Sequence, residues 1–239
     1  DAVRLAIMQP YFLPYIGYWQ LMAAVDTRVV YDNIKYTKKG WINRNRMLRN
    51  DEPAVFSLPL TDDSDLLDVR DRVLSPVFDP EKLLAQIHGA YRKAPCFNDF
   101  FPVVADIIRF PSRNLFEFVF NSIESINKVL QIETPLVASS SIDIDHAKRG
   151  QDRVLAICKE LRARTYLNPP GGRTLYSEDS FSAEGLELAF LAPVLVPYDQ
   201  FGSDFVPALS ILDILMFNSI ERVLRDLLPA YDIVRPSNA

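Results

Sequence analysis

The sequence predicts an α/β fold of Rossmann-like type, a mostly parallel sheet with a helical insertion in the middle of the chain. Three observations predict it. Residues 5–32 read as strand, loop, helix and strand within about 28 residues, a unit that the usual handedness rule makes parallel. Strands alternate with helices at both ends of the chain, and the stretch between, approximately 79–131, is helical. With 239 residues, 49% of them hydrophobic, and no repeat or low-complexity linker, residues 1–239 are expected to form a single α/β domain.

The elements follow in order. Leu5 to Met8 is a short apolar run expected to be a buried strand, and Tyr15 to Val25 is the helix after it. Arg28 to Asp32 is the second strand, and residues 35–60 read as an extended excursion ending in Ala54 to Pro59. "TDDSDLLDVRDR" is a solvated acidic loop or a short edge strand. Asp79-Pro80-Glu81 is an N-cap with proline at the first helical position, and Leu83, Leu84, Ile87 and Tyr91 make one helical face. Asn114 to Glu117 has capping-box spacing ahead of an apolar helix that runs to about Leu130. A strand over Leu136 to Ser139 precedes a helix with Val154, Ile157, Cys158 and Leu161 on one face. Thr165 to Leu167 is the next strand and Leu186 to Leu191 the last. In a single C-terminal helix, Leu209, Leu212, Met216, Ile220, Val223 and Leu227 are expected to face inward.

Composition narrows the function. A net charge of −5 gives poor electrostatic support for general nucleic-acid binding. No apolar run approaches the roughly 20 residues of a transmembrane helix, so no membrane span is expected. An ordinary strand follows the first residues directly, unlike a signal peptide. Two cysteines far apart suit a reducing cytoplasm, and with only two histidines no metal centre is expected.

The chemistry-bearing residues lie at the predicted carboxyl ends of strands, where open parallel sheets bind ligands. "MQPYFLPYIGYW" leaves the first strand through Gln9, Pro10 and Pro14. The prolines make a rigid loop, and Gly17 lets another group approach the helix start, whose amides favour an anion. The tyrosines there either fill the core or face the ligand. After the second strand, six basic residues and no acidic one lie between Lys35 and Arg49. Such a run is either a solvated face or a site. Here Asp32 and Asn33 precede it and Trp41, Asn43 and Asn45 interleave it. Arg44 offers a planar fork for phosphate, Lys38 or Lys39 a point charge, and Trp41 a stacking surface. That set fits a phosphorylated, ring-bearing small molecule such as a nucleotide sugar. "YLNPPGGRTLY" follows a third strand, with Arg173 in a loop able to face phosphate. Asp213, beside an apolar helical face, is either paired in the core or bound to Arg44 or a substrate amine.

Six blocks, "QPYFLPYIGYW", "VVYDNIKYTKKGWINRNR", "AYRKAPCF", "DRVLAICKEL", "YLNPPGGRTLY" and "LSILDILMFN", resemble the WbqC-like protein family of bacteria, in family order and over nearly the whole chain. The family is associated with gene clusters for surface polysaccharides such as O-antigen and for modified sugars. The resemblance implies a functional set of Gln9, Pro10, Tyr11, Pro14, Gly17, Asp32, Lys38, Lys39, Trp41, Asn43, Arg44, Asn45, Tyr166, Gly171, Gly172 and Asp213. It departs from the family at Asn168-Pro169, where Ser-Gly is usual. Strand, Pro14, Gly17, Tyr18 and helix also resemble a worn nucleotidyltransferase signature, with Ile16 and Tyr18 in place of its two histidines.

The preferred expectation is a cytoplasmic transferase moving an acyl or aminoacyl group onto an amino sugar or similar amine. Asp32 or Asp213 would bind or deprotonate the amine, and Tyr18 would donate a hydrogen bond. The alternatives are a nucleotidyltransferase-like enzyme using ATP and magnesium, and a non-catalytic nucleotide-sugar binding module. The donor, an activated acyl compound or ATP, and the oligomeric state stay open.

Overall fold

Both faces of the first strand are buried, and they enter different cores. In the computed structural model, which describes residues 3–133, 136–172 and 175–236, the strands are β1 (Arg4–Met8), β2 (Thr27–Val30), β3 (Arg44–Arg49), β4 (Glu52–Ser57), β5 (Leu136–Ala138), β6 (Thr165–Asn168), β7 (Glu187–Pro193) and β8 (Tyr231–Val234). The helices are α1 (Ile16–Ala23), α2 (Pro80–Tyr91), α3 (Phe97–Ile108), α4 (Leu115–Val129), α5 (Gly150–Glu160), α6 (Glu178–Ala183), α7 (Ile211–Phe217) and α8 (Ile220–Arg222). Ala6 and Met8 join Val30, Leu167 and Leu191 beneath α1 and α7, whereas Leu5 and Ile7 join Val29, Tyr166 and Leu188 beneath α5 and α6. The period of two along each strand thus builds a sheet covered on both sides.

The sheet has six strands in the order β5-β2-β1-β6-β7-β8. Every pairing from β5 to β7 is parallel and only β8 runs antiparallel, on β7. The fold is α/β and Rossmann-like. The chain steps outward from β1 to β2 and β5, then returns to β6 on the other side of β1. That reversal opens a crevice beyond the carboxyl ends of β1 and β6, the place where such sheets hold ligands.

The expected capping residues act as caps. Asp79 accepts from the Glu81 amide at 3.0 Å, and Asn114 from the Glu117 amide at 2.9 Å.

Three elements differ from the sequence expectation. Residues 35–60 are not simply extended, because β3 and β4 form a two-stranded hairpin. Asn50 and Asp51 make its two-residue turn with φ of 51° and 62°, a left-handed pair that these residue types tolerate. The C-terminal helix is broken. Asn218 is extended, with both its amide and its side chain bonded to the Ile214 carbonyl, and Ser219 caps the next turn. A further strand, β8, follows the one expected to be last; flanking prolines at 229 and 236 and a length of four residues hide it.

Candidate functional site

A cavity of about 380 Å3 opens beyond the carboxyl ends of β1 and β7, on the face that carries α1. Met8 and Leu191 form its floor, and Tyr11, Pro14, Tyr15, Gly17 and Tyr18 come from the turn between β1 and α1. Trp41, Asn45 and Arg46 face it from the hairpin arm, Pro169 from the end of β6, and Ala208 from the approach to α7. Pieces of all three strand-end blocks therefore meet in one place.

Backbone hydrogen bonds tie these segments together. The Phe12 amide donates to the Trp41 carbonyl at 2.9 Å, the Ile211 amide to Pro14 at 2.9 Å, and the Ser210 amide to Arg46 at 2.8 Å. Trp19, fully buried under the turn, donates its indole N–H to the Pro14 carbonyl at 3.0 Å. The two prolines contribute no N–H and fix φ, and the Pro14 carbonyl serves both Trp19 and the segment ahead of α7. The turn is a rigid wall of the cavity.

Arg46 is its cation. Its Nη2 reaches the Ala208 carbonyl only at 3.4 Å, and its Nε is buried with no acceptor. Among the described residues no carboxylate pairs with it. A guanidinium in such a place is an anchor for a planar or tetrahedral anion. Its carbon lies 5.4 Å from the centroid of the Trp41 ring, and that of Arg44 lies 5.6 Å away. Beside it, Asn45 is buried, with Oδ1 accepting from the Arg46 amide at 2.9 Å. The Asn45 amide nitrogen has no partner among the described residues.

The start of α1 borders the cavity through Gly17 and Tyr18. Tyr15 occupies the N-cap without a side-chain cap, and the Tyr18 amide donates to its carbonyl at 3.1 Å, so the positive end of the α1 dipole lies beside the cavity. The Tyr15 ring folds back over Gly17 so closely that a Cβ there would stand 2.4 Å from Cζ and from the hydroxyl. Gly17→Ala is accordingly expected to push the Tyr15 ring aside. The altered helix start should weaken ligand binding tenfold or more, while a helical alanine keeps stability within about 1 kcal/mol. Calorimetry with a thermal melt checks both halves, and unchanged affinity would remove the α1 start from the site.

The lining phenols are neutral. Burial raises the pKa of Tyr11, with Tyr15 adding to the shift, and burial alone raises that of Tyr15. Tyr18 is pushed furthest, again chiefly by burial, and its hydroxyl donates to the Gln9 carbonyl at 2.7 Å. Tyr18 thus fixes the strand exit. Ile16 is core, so neither position of the worn nucleotidyltransferase signature presents a phosphate-binding imidazole equivalent.

Several expected site residues are engaged elsewhere. The Arg44 guanidinium caps its own loop, donating from Nε to the Gly40 carbonyl at 3.0 Å and from Nη2 to Lys39 at 2.5 Å. Lys38 pairs with Asp65 at 3.4 Å on the surface, and the acidic loop bridges back to Lys35 through Asp68. The acidic loop thus offsets part of the basic run. Lys39 is exposed with φ of 62°. Asn43 bridges the Tyr36 hydroxyl at 2.8 Å and the Leu58 carbonyl at 2.9 Å, and so shapes the arm that carries Trp41. Gln9 is exposed, Pro10 is buried, and neither lines the cavity.

Asp32 is buried at the end of β2, accepting from the Ser140 amide at 2.9 Å, from the Ser139 hydroxyl at 3.0 Å and from the Ser140 hydroxyl. It fastens the turn after β5. Asp213 is fully buried and accepts from Tyr91 at 2.9 Å, Tyr198 at 2.5 Å and Gln200 at 2.7 Å; it meets neither Arg44 nor the cavity. Of its two sequence readings, the paired core carboxylate is the one found. Tyr166 stacks on Phe181 in the core of the opposite sheet face. Gly171 and Gly172 lie in a single 3-10 turn after β6, with Gly172 packed against Asn168. Arg173 lies outside the described residues.

The alternation of β3 could have found Arg46, since 44 and 46 share a strand face. No sequence signal marks Tyr15 as the ring over Gly17.

Among the described residues no Asp, Glu, His or Cys lines the cavity. Burial pushes the Cys158 thiol up to about 12, and it raises that of Cys96, assisted by Asp99 and Glu221. Neither is an activated thiolate. A Cys96→Ser, Cys158→Ala variant is expected to keep ligand affinity and lose about 1 kcal/mol of stability, from the core site. Loss of affinity in a folded double variant would instead put a cysteine in the site.

The segments that build the cavity lie within a known sequence pattern. A family model described as the WbqC-like protein family matches residues 9–224. The chain belongs to this family. The match begins at Gln9, where the chain leaves β1, and runs through α8. The chain is also 27% identical over 218 residues, 90% of its length and 93% of the relative's, to "Uncharacterized protein Rv1507c" of Mycobacterium tuberculosis (strain ATCC 25618 / H37Rv). No solved structure matches. Among the described residues no helix is long and apolar enough to cross a membrane.

Proposed function

We propose that this WbqC-like chain is a transferase that places an acyl or aminoacyl group on an amino sugar or similar amine, in surface-polysaccharide or specialised-metabolite biosynthesis. The observation that carries the site assignment is Arg46, an unpaired guanidinium in an aromatic cavity at the sheet's carboxyl ends. A phosphate group bonds to Arg46, the Asn45 amide and the start of α1, and a sugar ring lies among Trp41 and the tyrosines. The amine's lone pair attacks the acyl carbonyl and the bond to the donor's leaving group breaks. The ammonium proton passes to water, since among the described residues no lining carboxylate or imidazole is there to take it. Catalysis then rests on holding the two reactants together. The test incubates the protein with a phosphorylated hexosamine and a panel of thioester and acyl-phosphate donors, and reads the sugar by mass spectrometry. An acylated amine that disappears with Arg46→Ala supports the reading.

The same lack of an acid or base favours a second reading, a non-catalytic module that binds a nucleotide sugar. Tight binding with no product from any donor class would select it.

A further inference from the structure

The size and charge of the cavity narrow the ligand further, on the reading that this cavity is the substrate site. We infer that its occupant is a single amino-sugar ring carrying one phosphate, a hexosamine phosphate, rather than the nucleotide-linked sugar. Small-ligand sites run from about 300 to 1,000 Å3, and this one, at about 380 Å3, lies at the small end. A nucleotide-linked sugar brings three rings and two phosphates. The space next to this cavity, between α7 and the segment after β7, holds only about 20 Å3. Among the described residues, that neighbouring space is too small for a nucleobase.

Charge points the same way. Arg46 is the one cation among the described lining residues. The lysines that would extend a phosphate track lie outside, Lys38 against Asp65 and Lys39 exposed on its loop. Arg44, the nearest other guanidinium, spends its donors on the Lys39 and Gly40 carbonyls. One guanidinium and one adjacent side-chain amide nitrogen, with the α1 start lining the same cavity, suit one tetrahedral group. The neutral Tyr11 and Tyr15 hydroxyls are polar partners for sugar hydroxyls or an uncharged amine, without the carboxylate that would hold an ammonium.

Titration calorimetry with glucosamine 1-phosphate, glucosamine 6-phosphate, glucosamine and UDP-glucosamine tests this on wild type and Arg46→Ala. The expected result is binding of at least one hexosamine phosphate, weakened tenfold or more by Arg46→Ala, with UDP-glucosamine no tighter and unphosphorylated glucosamine weaker. UDP-glucosamine binding tenfold tighter than both phosphates, still dependent on Arg46, would overturn the inference and leave the site assignment standing. Binding that ignores Arg46, or none by any of the four, would overturn both.

Discussion

Asp213→Ala is expected to cost about 4 kcal/mol of folding stability, the largest effect of any single change considered. Three donors converge on this carboxylate from separate parts of the chain: the buried Tyr91 at the end of α2, and the half-buried Tyr198 and Gln200 from the segment ahead of α7. The Tyr91 hydroxyl in turn accepts from the Leu48 amide at 2.9 Å, which carries the network into β3. Alanine would leave the buried Tyr91 hydroxyl and the Tyr198 hydroxyl without their acceptor, while the Gln200 amide keeps the Val206 carbonyl at 3.1 Å. Asparagine keeps one acceptor and should cost less. The pH dependence follows from the sign of the shift. Burial raises the Asp213 pKa against the lowering effect of its three hydrogen bonds, so the fold favours the protonated form relative to the unfolded chain. Its contribution is therefore largest below the ordinary carboxylate range near 3.9 and is lost as pH rises through the folded value. Denaturant melts across that window should show wild type losing stability, relative to Asp213→Asn, as pH rises. A mild Asp213→Ala variant, or the opposite slope, would return Asp213 to the list of candidate chemical groups.

Arg46→Ala is expected to weaken binding of a phosphorylated ligand by about 2–4 kcal/mol, some thirtyfold to nearly a thousandfold. The side chain forms no ion pair among the described residues and only one long hydrogen bond, at 3.4 Å, so its loss should move the melting temperature little. Arg44→Ala provides the contrast. That guanidinium closes the loop from Lys39 to Gly40, so its removal should loosen the arm and affect affinity only indirectly. Calorimetry on both variants separates them. Equal losses, or a larger loss at Arg44, would move the anion anchor back to the residue that the sequence favoured.

Much of the fold was legible because its central strands, β1, β2, β6 and β7, are largely buried and two of its long helices carry side-chain caps. Asp79 and Asn114 announce α2 and α4 by residue type alone. The hairpin was hidden because its turn is Asn-Asp, lacking the glycine that usually marks a two-residue turn, and because its first strand is rich in arginine. The site was legible by region and less so by residue. Tyr11, Pro14, Gly17, Tyr18, Trp41 and Asn45 do line one cavity. A charge run does not say which of its members is already spent. Here Lys38 is held by an acidic loop more than twenty residues away and Arg44 by carbonyls beside it, which leaves Arg46. Asp32 and Asp213 mislead for a related reason: a buried carboxylate at a strand end or on an apolar face looks chemical until its hydrogen-bond partners are known.

The most direct test is a crystal structure of the protein soaked with a hexosamine phosphate. The phosphate should lie against Arg46, Asn45 and the first turn of α1, with the ring among Trp41, Tyr11 and Tyr15. A phosphate held instead by Lys38, Lys39 and Arg44 on the outer face of the arm, or by the turn at Gly171 and Gly172, would contradict it.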